Sequence, residues 1–234
     1  MHDIGASFVL AYHLATGGDP ELWGIVELSL AVSVSSAFFA CVLGLPLGAF
    51  VALQEFPGRR AVIVAMNALF GLPSVVVGLV VYLMLSRAGP LGPLGILFTP
   101  PAIVIAQTLL VTPMVAAVAR QFVEDAWREY REQLTSLGVS ALRAVPTLLW
   151  DLRYSLLTVV LMGLGRATSE VGAVMIVGGN VSGVTRVMTT AIALETEKGD
   201  LPLALALGVI LLALVFALNA LASLVRDWSF ARHG

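Results

Sequence analysis

The sequence predicts an all-α protein, a polytopic membrane helix bundle. Three observations carry that reading. Of 234 residues 59% are hydrophobic and 12% charged, whereas a soluble domain carries about 25% charged residues. The mean hydropathy is +0.95. Five stretches come close to or exceed the roughly 20 mostly apolar residues that a helix needs to cross a bilayer. The formal charge of −2 decides nothing, because in a membrane protein the placement of charges matters more than their sum. Cys41 is the one cysteine, so no intramolecular disulfide is possible. In its apolar run it reads as a small buried residue.

The N-terminal residues 1–24 lack a basic leader and a small-residue cleavage site after an apolar core. They are expected to form an extracytoplasmic segment and not a cleaved signal peptide. Within them, residues 8–14 suit a short interfacial helix. The first span is expected at 25–53, with Pro46 as a kink and Gly44 and Gly48 as a small-xxx-small pair for close helix approach. The second is expected at 61–86, with Pro73 inside it and Gly71 and Gly78 as notches. The third covers 101–119 and contains Pro113. The fourth covers 154–177. The fifth covers 201–225 and starts with Pro202 in its first turn, where a missing N–H is harmless. Trp23, Tyr82, Tyr154 and Trp228 fall near these ends, where amphipathic rings sit at the membrane interface. Between the last two spans, residues 185–197 fit a helix lying outside the membrane or re-entering it. Residues 25–225 thus read as a single transmembrane domain and 226–234 as a tail.

Five spans place the termini on opposite sides. One side gathers Arg59, Arg60, Arg120, Arg128, Arg131, Arg143, Arg153, Arg226 and Arg232; the other gathers Arg87, Arg186 and Lys198. The positive-inside rule makes the first side cytoplasmic, with the N-terminus outside and the C-terminus inside.

The segment 120–153 then faces the cytoplasm and carries the densest charge in the chain. Phe122, Ala126, Tyr130 and Leu134 repeat at four residues and predict a helix with one apolar stripe. Gly138 after Leu137 predicts a left-handed C-cap, and Ser140 an N-cap for a second short helix. The helix–turn–helix is long for a connection between packed helices, which usually takes about 2–8 residues. Its apolar residues beside the turn suit docking onto another protein.

The stretch EQLTSLG, Glu132 to Gly138, resembles the EAA motif of permease subunits of binding-protein-dependent ABC importers. Glu132 and Gly138 match at the family's spacing; Gln133 and Leu134 stand where the family has Ala. Further on Leu148 matches an apolar position, and Trp150 and Asp151 replace Leu-Pro. The stretches FPGRR (56–60), GLPSVVVGLVVYLMLSRAGPLGPLG (71–95), GRATSEVGAVMIVGGN (165–180) and TRVMTTAIALETEKGD (185–200) are similar to the tungstate- and molybdate-type oxyanion branch of these permeases. The resemblance covers residues 21–224. It implies a permease domain of the type I importer kind, with a coupling region at 120–153. It also implies a second copy of the chain, two ATPase subunits on the cytoplasmic side and an extracytoplasmic oxyanion-binding protein, all in the plasma membrane. On this reading Glu132, Leu134, Thr135, Ser136, Leu137 and Gly138 couple the chain to the ATPase. The substrate is expected to be tungstate, with molybdate or another oxyanion as alternatives. A stand-alone secondary transporter or channel is a further alternative, which the lack of an internal repeat disfavours.

Arg166 and Glu170 are charges inside the expected fourth span. A charge there costs about 2.5–3.5 kcal/mol on insertion scales, so such residues face protein or water. Two readings fit. The residues pair at i, i+4 on one helix and fix packing, or Arg166 lends positive potential to an anion pathway with Thr168 and Ser169 as hydrogen-bond donors. No GxxxxGK[ST], GxSxG or HExxH motif occurs, so the chain is expected to be no enzyme and to bind no cofactor, with ATP on the partner subunit. His2, His13 and His233 lie near the termini and make no metal cluster. No basic patch speaks for nucleic acid.

Overall fold

The computed structural model describes residues 5, 8–10, 12, 13, 17 and 20–233, with backbone alone at 221, 222 and 225–233. Among these the chain is all-α, without a strand. The helices are α1 (Pro20–Leu53), α2 (Arg59–Phe70), α3 (Ser74–Leu85), α4 (Pro100–Ser136), α5 (Ala141–Asp151), α6 (Arg153–Thr168), α7 (Gly172–Gly178), α8 (Met188–Lys198) and α9 (Leu201–His233). A 3₁₀ turn, Gly92–Leu94, precedes α4. Three helices are long and apolar enough to cross a membrane; the number is five if each of two bent pairs, α2 with α3 and α5 with α6, counts as one span.

Several expected boundaries move. The second span is not one helix. Gly71 caps α2 with its N–H on the Ala68 carbonyl, and Pro73 starts α3 from an extended conformation. So Pro73 breaks the span where a kink was expected, and Gly71 is a cap, not a packing notch. The third span does not stop near 119 but runs to Ser136. The fourth does not reach 177 as one helix: α6 ends at Thr168, residues 169–171 are irregular, and α7 follows. The fifth continues past 225 without interruption to His233. The helix expected at 185–197 runs from Met188 to Lys198. In the N-terminal segment, 8–10 and 12–13 are helical; the rest of the expected 8–14 helix and the Trp228 side chain lie outside the described residues.

Two compact units divide the chain, one from 1–35, 73–107 and 167–221, the other from 36–72, 108–166 and 222–234. In the first, α3 lies on α7, where a Cβ at Gly78 would meet the Ala173 Cα at 2.8 Å. Leu22, Ala191 and Leu207 join α1, α8 and α9 in an apolar cluster.

In the second unit, α1 and α4 touch backbone to backbone. A Cβ on Gly44 would meet the Val115 side chain at 2.8 Å, and one on Gly48 would meet the Ala116 carbonyl oxygen at 2.4 Å. The expected small-xxx-small pair is therefore a real crossing point, where dispersion between close backbones replaces the hydrophobic effect that lipid does not supply. Ala49, Ala52, Leu53, Val123, Ala126, Ala144 and Leu148 close a core among α1, α4 and α5. Large apolar side chains remain exposed, Val75, Leu79 and Leu83 on α3 and Leu212 and Phe216 on α9 among them. In water such faces would be patches that need covering; facing lipid they are at rest.

Candidate functional site

Two regions hold the residues singled out from the sequence. The first is the end of α4, its turn and α5, all in the second unit. The inward stripe of α4 is Val123, Ala126, Trp127, Tyr130 and Leu134, packed against Ala144 and Leu148 of α5. The period is as expected, but Val123, fully buried, takes the place assigned to Phe122. Leu134 therefore belongs to the inner face and is not presented outward. Gly138 has φ 73°. Its N–H donates to the Thr135 carbonyl at 3.0 Å, and the Val139 N–H to the Leu134 carbonyl at 2.9 Å. That pair of bonds is the Schellman motif, which satisfies carbonyls left over at a helix end. Ser140 precedes α5 in an extended conformation but makes no side-chain capping bond.

The outer face of this hairpin is apolar at its crest. Leu137 is 77% exposed, Leu142 54% and Trp150 72%. Leu142 and Trp150 are two turns apart on α5, with Pro146, also exposed, between them. Glu132, Thr135 and Ser136 are exposed too. The hydroxyls of Thr135 and Ser136 are turned back onto their own helix, donating to the Arg131 and Gln133 carbonyls at 2.7 Å each. They terminate the helix and do not reach outward. Arg128 pairs with Glu124 at 3.3 Å and Asp125 at 3.7 Å. Glu124 is the hub: it also binds Arg120 and lies 3.7 Å from Arg59. Arg59 in turn donates from Nε to the Val51 carbonyl at 2.8 Å and from Nη2 to the Ala52 carbonyl at 3.1 Å. Arg59 thereby caps the end of α1, where carbonyls lack partners and the helix dipole is negative. Sequence reading missed the roles of Arg59 and Glu124, because the bonds cross between helices.

The second region surrounds Glu170 in the first unit. The irregular stretch 169–171 frees backbone groups inside an apolar span, and with no water in the bilayer core side chains must satisfy them. Gln107 Nε2 donates to the Ala167 carbonyl at 3.0 Å. Thr189 Oγ1 donates to the Glu170 carbonyl at 2.9 Å. The Glu170 carboxylate accepts the Ala173 N–H at 3.1 Å, so it caps α7. The Met188 N–H, at the start of α8, donates to Ser29 Oγ at 2.8 Å. Thr185 Oγ1 accepts the Val181 N–H and donates to the Gly178 carbonyl. Ser29, Gln107, Thr168, Glu170 and Thr189 are each less than a tenth exposed. The space they surround is about 10 Å³, room for one water at most. In this conformation the cluster stitches a helix break. Ser169 is exposed and stands apart from the lining. Arg166 is half-buried in the last turn of α6, and Glu170 lies two residues beyond the end of that helix. The sequence reading did not single out Ser29, Ser33 or Gln107; a polar residue within an apolar span is the signal that could have found them. No group of three or more His, Cys, Asp or Glu fit to hold a metal occurs among the described residues.

Removing one of these stitches has a calculable cost. Gln107→Leu leaves the Ala167 carbonyl without its donor, worth about 1–3 kcal/mol for a buried polar group. The expected result is a lower unfolding temperature in detergent with the chain still inserted.

No family model matches the chain. Relatives do. A tungstate uptake system permease protein of Peptoclostridium acidaminophilum is 40% identical over 94% of this chain and 96% of its own length. The chain belongs to the anion permeases of the ABC transporters. A probable anion ABC transporter permease protein of Haloferax volcanii is likewise 40% identical, over 91% of the chain and 94% of the relative. A tungstate uptake permease of Campylobacter jejuni is 35% identical over 91% of the chain and 89% of the relative. Sulfate transport permeases lie further away, at 26–28% for those of Synechococcus elongatus and Salmonella typhimurium. Permeases of this family are transport subunits, and the apolar helices make this one a multi-pass membrane protein.

Proposed function

We infer that the chain is the membrane-spanning subunit of an importer for a tetrahedral oxyanion, with tungstate the first candidate. The observation that carries this is the 40% identity, nearly end to end, to a tungstate uptake permease. Two copies would form the pathway, with two ATPase subunits on the cytoplasmic face and a binding protein delivering the oxyanion from outside. ATP is then handled by the partner, and this chain binds no cofactor of its own. Molybdate is the nearest alternative, since its charge and shape differ little and a binding protein is the natural place for the choice.

The docking element is the hairpin of α4 and α5. Glu132, Thr135, Ser136 and Gly138 shape its crest, and Leu137, Leu142 and Trp150 supply the apolar anchors that a partner groove needs. Leu134 supports the crest from inside. The basic residues of this face, Arg128, Arg131 and Arg143 among them, give the orientation: N-terminus outside, C-terminus cytoplasmic, in the plasma membrane. Reporter fusions within 181–200 should read as extracytoplasmic; a cytoplasmic signal there would reverse the topology.

Arg166, Thr168, Ser169 and Glu170 serve structure on this reading. Glu170 is 3% exposed, so leaving its charge uncompensated is costly. Arg166→Ala alone is therefore expected to lose more stability and transport than Arg166→Ala/Glu170→Ala together. Equal losses would mean that the two charges act separately.

The reading is tested by ATP hydrolysis in the reconstituted complex. Binding protein loaded with tungstate, and to a lesser degree molybdate, should stimulate it over sulfate-exposed or empty binding protein. Stimulation by none of the three would remove the oxyanion assignment.

A further inference from the structure

The first turn of α1 carries Glu21, which faces a cation of the connection between α7 and α8. Arg186 lies between α7 and α8 and forms a wall of two clefts, of about 390 Å³ and about 140 Å³. Its backbone is held in place. Its N–H donates to the Val181 carbonyl at 3.0 Å. Thr185 just before it bonds at both ends of the 178–181 stretch, and the Val187 N–H just after it donates to Thr190 Oγ1 at 3.1 Å. The side chain is 19% exposed.

What that guanidinium lacks is adequate company. Its Nε is buried with no hydrogen-bond partner. Its ion pair is with Glu21, at 3.8 Å from Nη1, and Glu21 is 69% exposed. That separation is beyond a hydrogen bond, and the water around Glu21 weakens the attraction further. Glu195, the other carboxylate lining the smaller cleft, is taken by Lys198 at 2.8 Å. Ser182, in the larger cleft, places its hydroxyl 3.5 Å from Glu21 Oε1. A half-buried, forked cation whose carboxylate neighbour is exposed and stands beyond hydrogen-bond distance suits a ligand with two acceptor oxygens in a plane.

The geometry points to Arg186 as an exchangeable seat for a tetrahedral oxyanion at the entrance of the permease, with Glu21 as its built-in competitor. The inference rests on the oxyanion-importer reading above. An incoming anion takes the guanidinium fork and the Ser182 hydroxyl, and Glu21 swings into water. When the anion moves on, Glu21 returns. The competition keeps the seat weak, as a pathway requires, since an ion that binds too well does not leave.

A structural pair and an exchangeable seat predict opposite results at Glu21. The experiment uses the complete importer in proteoliposomes with saturating tungstate-loaded binding protein, and rates are taken per assembled complex. Arg186→Gln is expected to lower initial tungstate uptake roughly tenfold, the scale of a lost charged hydrogen bond. Arg186→Lys keeps the charge without the fork and should fall between. Glu21→Gln should transport at the wild-type rate or faster. The inference is overturned if Arg186→Gln transports normally, or if Glu21→Gln loses as much as Arg186→Gln, which would make Arg186 only a partner for Glu21. No uptake by the wild-type complex with tungstate, molybdate or sulfate would instead overturn the importer reading, and this seat with it.

Discussion

A Gly138→Val chain is expected to insert into the membrane and then to lose ATPase binding or to hydrolyse ATP without transport. Gly138 sits at φ 73°, and a Cβ there would meet nothing within 4 Å. The cost is therefore conformational, about 1–2 kcal/mol for a Cβ-bearing residue in the left-handed region and more for a β-branched one. The chain can avoid it by unwinding the turn, which releases the 138→135 and 139→134 bonds. The crest at Leu137 then loses its fixed relation to α5, while the core of Val123, Ala126, Ala144 and Leu148 keeps the hairpin folded. Gly138→Asn, a residue that tolerates this region, should retain most of the coupling. Co-purification of the ATPase, together with uptake, checks the series; normal binding and uptake in Gly138→Val would return the hairpin to a plain connection.

Gly48→Ala is expected to be the most damaging single-methyl change on α1. Overpacking a core normally costs about 1–3 kcal/mol, because side chains give way. Here the added carbon would fall 2.4 Å from the Ala116 carbonyl oxygen and 3.0 Å from the Arg120 nitrogen. Both are backbone atoms, and no rotamer relieves them. α1 must move off α4, which also disturbs the Ala49–Val123 core one turn along. Yield and unfolding temperature in detergent should both fall well below those of Gly24→Ala, where an added Cβ meets nothing within 4 Å.

Much of this was readable from the residues, for identifiable reasons. Apolar composition located the long apolar helices, since a bilayer imposes length and hydrophobicity directly. The turn at Gly138 was readable because its cause is local: a glycine after the last apolar residue of a helical stripe. Glu132 and Gly138 also carried the family resemblance. The breaks were not readable in the same way. Gly71, Leu72 and Pro73 advertise one, but an apolar run on both sides made it look like a kink. The break at 169–171 has no proline at all. It persists because Gln107 and Thr189, distant in the sequence, complete its hydrogen bonds. Leu134 looked like an outward anchor until Leu148 of α5 arrived to cover the same stripe. The general pattern is that local signals survive in a single sequence, whereas satisfaction between helices does not.

The central claim is that this permease moves an oxyanion only when a partner subunit spends ATP. Uptake of tungstate into proteoliposomes holding the permease and its ATPase, with loaded binding protein outside, tests it most directly. Uptake should require ATP inside and binding protein outside, and should vanish when either is left out. Uptake that proceeds without ATP, driven by a tungstate gradient alone, would contradict the account and favour a stand-alone transporter or channel.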